Sequence, residues 1–289
     1  MPWHHIENPQ DPQLDELAKR YDLHPLHIED CRNRNQRAKV EETPNYLFVV
    51  LKPVNRIDDD GTLTFTDLDI FVGRDFCITV EEQRCTASQE ALASAGKLAN
   101  PDRPDQIFYR LFDAIVDSYL PAIDHVDEDI DDLEDVVVNR PSPNALQNIF
   151  DLKRSLVDLR RTLVNTRDVC IQVQRDQGSL ISPELGPFFR DIYDHIARNL
   201  DSVETHRDLL TGALDVYLSS VANRTNEVMK VLTVMSTIAL PAIVISGIYG
   251  MNIKNIPFVD SSYAVWIVLG SMALTTLGLL WLLKRFGWF

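Results

Sequence analysis

The residues with the most informative chemistry in this 289-residue chain lie near its C-terminus, where two long apolar runs meet. The uncharged tripeptide Gly250-Met251-Asn252 follows the first run, and neither run contains an acid or a base. The runs cover 231–249 and 263–283, and each is close to the ~20 residues that a helix needs to cross a bilayer. The sequence therefore predicts a membrane hairpin whose spans are joined by a short loop.

The first apolar run carries a polar and small stripe. On a helix, positions spaced alternately by three and four residues share one side. The seam positions are Asn226, Met229, Thr233, Ser236, Leu240, Ile243, Gly247 and Gly250. Many of them are polar or small where lipid-facing residues would be large and apolar. Such a seam is typical of closely packed helices and equally of helices that line a pore between copies of the chain, and periodicity alone favours neither.

The charge distribution restricts the partners and the orientation. The formal net charge is −15, which argues against nucleic-acid binding and favours cations or basic partners. Lys230 precedes the first span and Lys284 follows the second, whereas the loop between them carries only Lys254 and Asp260. The positive-inside rule therefore predicts both termini in the cytoplasm. The four cysteines lack paired spacing, so we expect reduced thiols.

The N-terminal part, about 1–103, predicts a small α/β domain. A helical stretch over 11–31 precedes three runs rich in β-branched and aromatic residues, at 45–54, 62–72 and 75–82. An Asp-rich turn ending in glycine at 58–61 is expected to join the first two runs as a hairpin. His4 and His5 precede these elements, and we expect them to lie in a mobile N-terminal segment.

From about residue 104 the hydrophobic period becomes helical. An amphipathic helix with an acidic face over 124–135 and a second, basic helix predict a helical hairpin over 104–186. The acidic face lacks the spacing of a calcium loop, so we interpret it as a solvated surface. A third helix is predicted from about residue 188 into the first span, forming a stalk over 187–230 that continues into the membrane hairpin, 231–289. At about 1.5 Å per residue, roughly 60 residues would extend about 90 Å.

The tripeptide in this position resembles the pore motif of the CorA family of divalent-cation channels. Further likeness lies in the stretches TNEVMKVLTVMSTIALP before it, FRDIYDH at the start of the stalk and YDLHPLHIEDC in the N-terminal domain. The resemblance covers nearly the whole chain. It implies an α/β cytosolic domain followed by long helices and a two-helix transmembrane hairpin, assembled as a homopentameric funnel in the cell membrane.

The resemblance also implies the site residues. Gly250, Met251 and Asn252 would form the selectivity filter for Mg²⁺, and Asp191 would bind a regulatory Mg²⁺. The residues expected to line the pore are Asn226, Leu232, Leu240, Ile243 and Gly247. A ring of Asn252 side chains suits Mg²⁺ because neutral oxygens can bind the water shell that this ion gives up reluctantly. Without the resemblance, Asp191 would be interpreted as a solvated acid in the first turn of the stalk helix.

Two departures from the family pattern keep other functions open. Leu240 and Ile243 stand where the family leads us to expect Met and Thr, and Lys254 and Phe258 stand where related magnesium channels carry acids. The alternatives are passage of Co²⁺ or Ni²⁺, a zinc transporter like ZntB, or a membrane-anchored cation-sensing scaffold without transport. We find no nucleotide-loop, nucleophile-elbow or zinc-protease motif, so an enzyme is not expected.

Overall fold

The structure is a computed structural model that describes residues 3–33, 36–57, 62–81, 89, 93, 103–139, 142–175, 180–251, 257 and 262–287. The chain divides into two compact units, Met1–Tyr217 and Leu218–Phe289. The predicted turn at 58–61 and the residues Asn252, Lys254, Phe258 and Asp260 lie outside the described residues.

The first unit contains a five-stranded mixed sheet. Its elements in chain order are β1 (Trp3–Ile6), α1 (Pro12–Tyr21), α2 (Pro25–Arg32), β2 (Lys39–Glu42), β3 (Tyr46–Leu51), β4 (Val54–Ile57), β5 (Leu63–Phe65), β6 (Leu68–Gly73) and β7 (Cys77–Glu81). The strand order is β1-β7-β6-β3-β2, and β1 pairs with β7 in parallel whereas the other neighbours in this sheet are antiparallel. Strands β4 and β5 form a separate antiparallel pair.

Helices cover both faces of the sheet, which explains why β3, β6 and β7 are buried at every residue. Side chains alternate between the two faces of a strand. Leu47 and Val49 of β3 alternate with Phe48 and Val50, and the two pairs belong to different hydrophobic cores. The core around Phe48 includes residues of α1 and α2, and the core around Leu47 includes residues of the later helices.

The later helices are α3 (Pro104–Asp117), α4 (Tyr119–Asn139), α5 (Pro143–Arg175), α6 (Gly186–Tyr249) and α7 (Ala264–Arg285). A short 3-10 turn, Pro183–Leu185, precedes α6. An aromatic cluster joins the start of α6 to α3, since the ring of Phe189 lies 5.8 Å from that of Phe108 and 6.1 Å from that of Phe112. The predicted fold class, an α/β domain followed by long helices and two apolar C-terminal helices, is confirmed.

Several sequence expectations need correction. His4 and His5 lie in β1, where His4 Nε2 contacts the Tyr21 hydroxyl at 3.2 Å and His5 Nδ1 contacts Thr79 Oγ1 at 2.9 Å. The expectation of a mobile segment there was wrong because these side-chain contacts and the pairing with β7 fix the strand. The first two predicted β runs are each split in two, and β3 pairs with β6 while β4 pairs with β5.

One buried carboxyl on β6 makes the fold sensitive to pH. Asp69 is 3% exposed, and its Oδ1 atom has no hydrogen-bond partner among the described residues. Burial, with the Asp67 carboxylate as a second cause, raises the pKa of Asp69 to about 8. An unfolded chain loses this proton near pH 4. Between these values the folded state holds a proton that the unfolded state has lost.

We expect Asp69→Asn to flatten the pH dependence of stability. The contribution of Asp69 is fully present below about pH 4 and is lost as pH rises toward 8, at up to about 1.4 kcal/mol per pH unit, whereas asparagine stays neutral throughout. Thermal unfolding of both proteins from pH 5 to 8 measures this difference. Asp75→Asn, which changes an exposed carboxyl of the β6–β7 turn, is the control. Parallel curves for wild type and Asp69→Asn would contradict the assignment.

Candidate functional site

Among the helices that the structure describes, two are long and apolar enough to cross a membrane. The most apolar windows of α6 and α7 have mean hydropathies of 2.2 and 1.9, and only 6% and 0% of these windows are buried. A core helix of a soluble protein would be mostly buried, so this exposed apolar surface requires another environment. The exposed Trp281 ring near the end of α7 lies 5.5 Å from the Arg285 guanidinium, a pairing that suits a membrane interface.

Each of these two helices has one partly covered stripe. Within the apolar part of α6, residues 231–249, the less exposed positions are Val234, Thr237, Ile238, Pro241, Ala242, Ile245 and Tyr249. Their spacing places them on one side of the helix. On α7 the corresponding positions are 264, 268, 271, 272, 276, 279, 280 and 283, which also share one side.

The predicted seam lies on the other side of α6. At about 100° per residue, the centre of the seam is roughly 150° around the helix from the centre of the partly covered stripe. All eight seam positions are exposed in the single chain, including Leu240 at 63% and Ile243 at 64%. Leu232 is also exposed and lies at one edge of the seam. The residues predicted to line a pore before the tripeptide therefore share a surface that the described part of their own chain leaves uncovered.

The seam presents neutral oxygen atoms. The Thr233 hydroxyl donates its proton to the Met229 carbonyl at 2.8 Å, so its oxygen remains available as an acceptor. Around Gly247, an added Cβ atom would meet nothing within 4 Å. A water molecule or a hydrated ion could therefore approach the backbone closely at Gly247.

Helix α6 ends at the tripeptide in a tight turn. The Gly250 N–H donates to the Ser246 carbonyl at 2.8 Å, and the Met251 N–H donates to the Ile248 carbonyl at 3.3 Å. A Cβ atom at Gly250 would lie 3.1 Å from the Ser246 carbonyl oxygen, closer than an ordinary contact. Glycine at this position allows the chain to leave the helix in this geometry. The Tyr249 hydroxyl donates to the Pro257 carbonyl at 3.3 Å, which connects the helix end to the loop.

The predicted regulatory residue Asp191 lies in an acidic surface group near the start of α6. His195 Nε2 lies 3.6 Å from Asp191 Oδ2, and His195 Nδ1 lies 3.5 Å from Asp117 Oδ1 on α3. Nearby Asp113 has a raised pKa because of burial and the Asp117 carboxylate. The sequence interpretation missed Asp117, which the fold of α3 brings to His195, although the i, i+4 spacing of Asp191 and His195 is visible in the sequence.

This group does not form a complete metal site within one chain. The described residues contain no cluster of three or more His, Cys, Asp or Glu side chains that could hold a metal ion. The Asp191 carboxylate is exposed, and Mg²⁺ usually keeps several waters while it binds one or two carboxylates. The residues present therefore fit a hydrated Mg²⁺ only if further oxygen atoms come from water or from a second copy.

Comparisons with known proteins identify the family. The family described as CorA-like Mg²⁺ transporter protein matches residues 1–285. The chain belongs to the CorA family. The cobalt/magnesium transport protein CorA of Thermotoga maritima is 37% identical over 272 residues, which are 93% of this chain and 77% of that protein. The putative metal ion transporter YfjQ of Bacillus subtilis is 31% identical and covers 99% of this chain and 89% of its own.

Solved structures agree at the level of the fold. The complete structure of the CorA magnesium transporter from Methanocaldococcus jannaschii matches with a TM-score of 0.84 at 23% identity, over 99% of this chain and 91% of that one. The resemblance to the CorA family and its connection with divalent-cation transport are thus confirmed. The individual pore and filter residues remain predictions.

The end of α6 gives a prediction about Gly250. We expect Gly250→Ala to lower Mg²⁺ flux several-fold in a CorA-type transporter, because the added methyl group must push the tripeptide away from the Ser246 carbonyl. Radiotracer or fluorescent-indicator flux into proteoliposomes measures this loss. Gly270→Ala on α7 is the matched control, since a Cβ atom there meets nothing within 4 Å. Equal flux in both variants would show that the turn tolerates the methyl group.

Proposed function

We propose that the chain assembles as a homopentameric channel in the cell membrane that passes hydrated Mg²⁺ through an axial pore lined by the α6 seam. The observation that carries this proposal is the exposure of the seam on the side of α6 opposite its partly covered stripe. Lipid is a poor partner for a polar and small surface, so copies of α6 facing one another are a favourable arrangement. Both termini lie in the cytoplasm in this proposal, as the positive-inside rule favours.

The filter in this proposal is a ring of Gly250-Met251-Asn252 tripeptides. A carboxylate ring would bind Mg²⁺ tightly and release it slowly, and complete removal of its waters would cost much free energy. Amide oxygens of Asn252 instead accept hydrogen bonds from the bound waters. Co²⁺ and Ni²⁺ carry similar water shells and are further candidate substrates, and the name of the Thermotoga relative supports the pairing of cobalt with magnesium.

The driving force for uptake is the membrane potential. The apolar runs 231–249 and 263–283 contain no Asp, Glu or His, so the spans lack the groups that proton-coupled carriers use. A potential of 100 mV contributes about 2.3 kcal/mol per elementary charge, and twice that for a dication. This supports a channel that passes ions down their electrochemical gradient.

Leu240 and Ile243 supply the gate. Both are large, apolar and exposed on the seam. A ring of such side chains excludes water when it is narrow, and hydrated ions cannot cross a dry constriction. The gate therefore opens when the helices move apart enough to wet these two rings.

Regulation involves Asp191. An ion that binds the closed assembly more tightly than the open one shifts the population toward closure. Mg²⁺ held between Asp191 of one copy and oxygen atoms of another would act in this way, because the single chain supplies an incomplete site. Rising internal Mg²⁺ then closes the channel.

Zinc transport of the ZntB type is the second candidate, because Lys254 weakens the assignment to Mg²⁺ without itself selecting Zn²⁺. Five lysines near the mouth would repel dications, where related magnesium channels carry acids. A scaffold that senses cations without transporting them is the candidate of another class, because the Leu240 and Ile243 rings could stay closed. Flux of Mg²⁺, Co²⁺, Ni²⁺ and Zn²⁺ into proteoliposomes, with and without a pH gradient, distinguishes all three.

The filter assignment predicts the effect of Asn252→Leu. We expect this variant to lose Mg²⁺ flux while its assembly keeps the mass of a pentamer, because the change removes the amide ring and leaves the α6 seam unchanged. Asn255→Leu, three residues later in the same loop, is the matched control and should transport normally. Native mass spectrometry and flux measure the two properties. Unchanged flux in Asn252→Leu would contradict the filter assignment. A monomer or dimer as the stable species would contradict the pentameric pore.

The regulatory assignment predicts the effect of Asp191→Asn. We expect the Mg²⁺ concentration that protects the protein from limited proteolysis to rise several-fold, because one carboxylate of the shared site is lost. Asp194→Asn removes another exposed carboxylate from the same helix turn and should leave the protection curve unchanged. If the three proteins give the same curve, Asp191 is an ordinary surface acid.

A further inference from the structure

A cavity of about 320 Å³ lies between α5 and α6 within the first unit. Its lining includes the buried side chains of Leu156 and Val203, and three arginines, Arg160, Arg161 and Arg207. No acidic residue among those that the structure describes contributes to the lining. This composition is unexpected in a chain whose formal net charge is −15.

Two of the three arginines are held in place from outside the cavity. Glu204 accepts hydrogen bonds from Arg160 Nε and forms an ion pair with Arg207 Nη1 at 2.8 Å. The Arg160 guanidinium lowers the pKa of Glu204, so this carboxylate stays ionised. Arg207 Nη2 also lies 3.5 Å from Asp208 Oδ1. A guanidinium has five N–H donors, so both arginines keep donors for a further partner.

Arg161 has no carboxylate within 4.0 Å anywhere in the part of the chain that the structure describes. It also lines an adjoining cavity of about 310 Å³, together with Arg37, Lys52 and Asp158. Acidic partners outside the lining hold two of the guanidinium groups in place, and the third has no such partner among the described residues. The cavity therefore carries positive charge that no carboxylate of its own lining neutralises. An anion that enters it would need to displace no carboxylate from the lining.

We propose that this cavity binds a nucleotide. Arginine is the residue best suited to phosphate, because its planar fork donates two parallel hydrogen bonds to phosphate oxygens. The apolar floor of Val157, which is 54% exposed, and the partly exposed Val164 offers a surface for a planar ring, and the volume falls within the range of small-ligand sites. The phosphates contact Arg160, Arg161 and Arg207, and the base packs on the floor. This proposal goes beyond the ion channel and does not depend on it.

The experiment is isothermal titration calorimetry of the full-length protein in detergent, with ATP, ADP and inorganic tripolyphosphate as the probes. The buffer is free of divalent cations, since ATP chelates them, and has low ionic strength. We expect saturable ATP binding at one site per chain, with tripolyphosphate weaker because it lacks the ring. Arg161→Gln and Arg207→Gln should each weaken ATP binding by about tenfold or more, as expected for loss of a charged hydrogen-bonding partner.

Arg154→Gln is the matched control, because it removes the same charge from an exposed position of α5 that does not line the cavity. The proposal would be overturned if the wild type bound no ATP. It would also be overturned if Arg154→Gln weakened ATP binding as much as Arg161→Gln and Arg207→Gln do. If tripolyphosphate binds as tightly as ATP, the cavity is a general anion site, and this result would also overturn the nucleotide proposal. If Arg161→Gln and Arg207→Gln lower the mass of the assembly and wild type binds no nucleotide, acidic groups of a second copy occupy the cavity. None of these results changes the Mg²⁺ flux expected of the wild type.

Discussion

The main constraint on this protein is that a polar stripe cannot face hydrocarbon at low cost. Helix α6 carries large apolar residues on most of its surface beyond residue 231, but its seam holds Thr233, Ser236, Gly247 and Gly250. The partly covered stripe lies on the other side of α6, so none of the described residues shields the seam. Association of several copies around a water-filled path would satisfy the neutral oxygens, and it would place the tripeptide at the end of that path.

The first unit fixes where α6 begins. Arg103, just before α3, donates to Asp105 at 2.8 Å, to Glu184 at 3.0 Å and to Ser182 Oγ at 2.5 Å. The Ser182 N–H also donates to Asp105 at 3.2 Å. These bonds fix the 3-10 turn that precedes α6 against the start of α3. Together with the Phe108, Phe112 and Phe189 rings, they give the first turns of α6 a defined position within this unit, which is also where Asp191 and His195 lie.

The sequence predicted the C-terminal helices well because their signals are local. Hydropathy predicted both apolar helices, and helical periodicity predicted a long stalk helix that enters the first of them. The observed helix runs from Gly186 through Pro241 to Tyr249. The sheet was harder because its pairing joins residues far apart in sequence. Strand β1 has four residues and no clear alternation, and only its pairing with Cys77–Glu81 makes it a strand. The break between β3 and β4 depends on Lys52 and Pro53, where Lys52 Nζ pairs with Asp67 and Pro53 accepts from Thr66.

For the candidate site as well, the features that lie along one helix were predictable from the sequence, and the contacts between distant residues were not. The seam and the tripeptide follow from spacing along one helix. The contact of Asp117 with His195 depends on the packing of α3, which no short-range pattern reveals. Departures such as Lys254 can be read from the sequence, but their effect depends on a loop conformation and on the number of copies that surround the mouth.

Accessibility of single cysteines on α6 tests the seam most directly. Leu240 and Ala242 lie at nearly the same depth on opposite sides of the helix, one on the seam and one on the partly covered stripe. Cys31, Cys77 and Cys170 are buried, so replacement of Cys85 by Ser gives a suitable background. A water-soluble cationic thiol reagent should block Mg²⁺ flux through Leu240→Cys and leave Ala242→Cys unaffected. Block of Ala242→Cys alone, or of neither variant, would contradict a pore lined by the α6 seam.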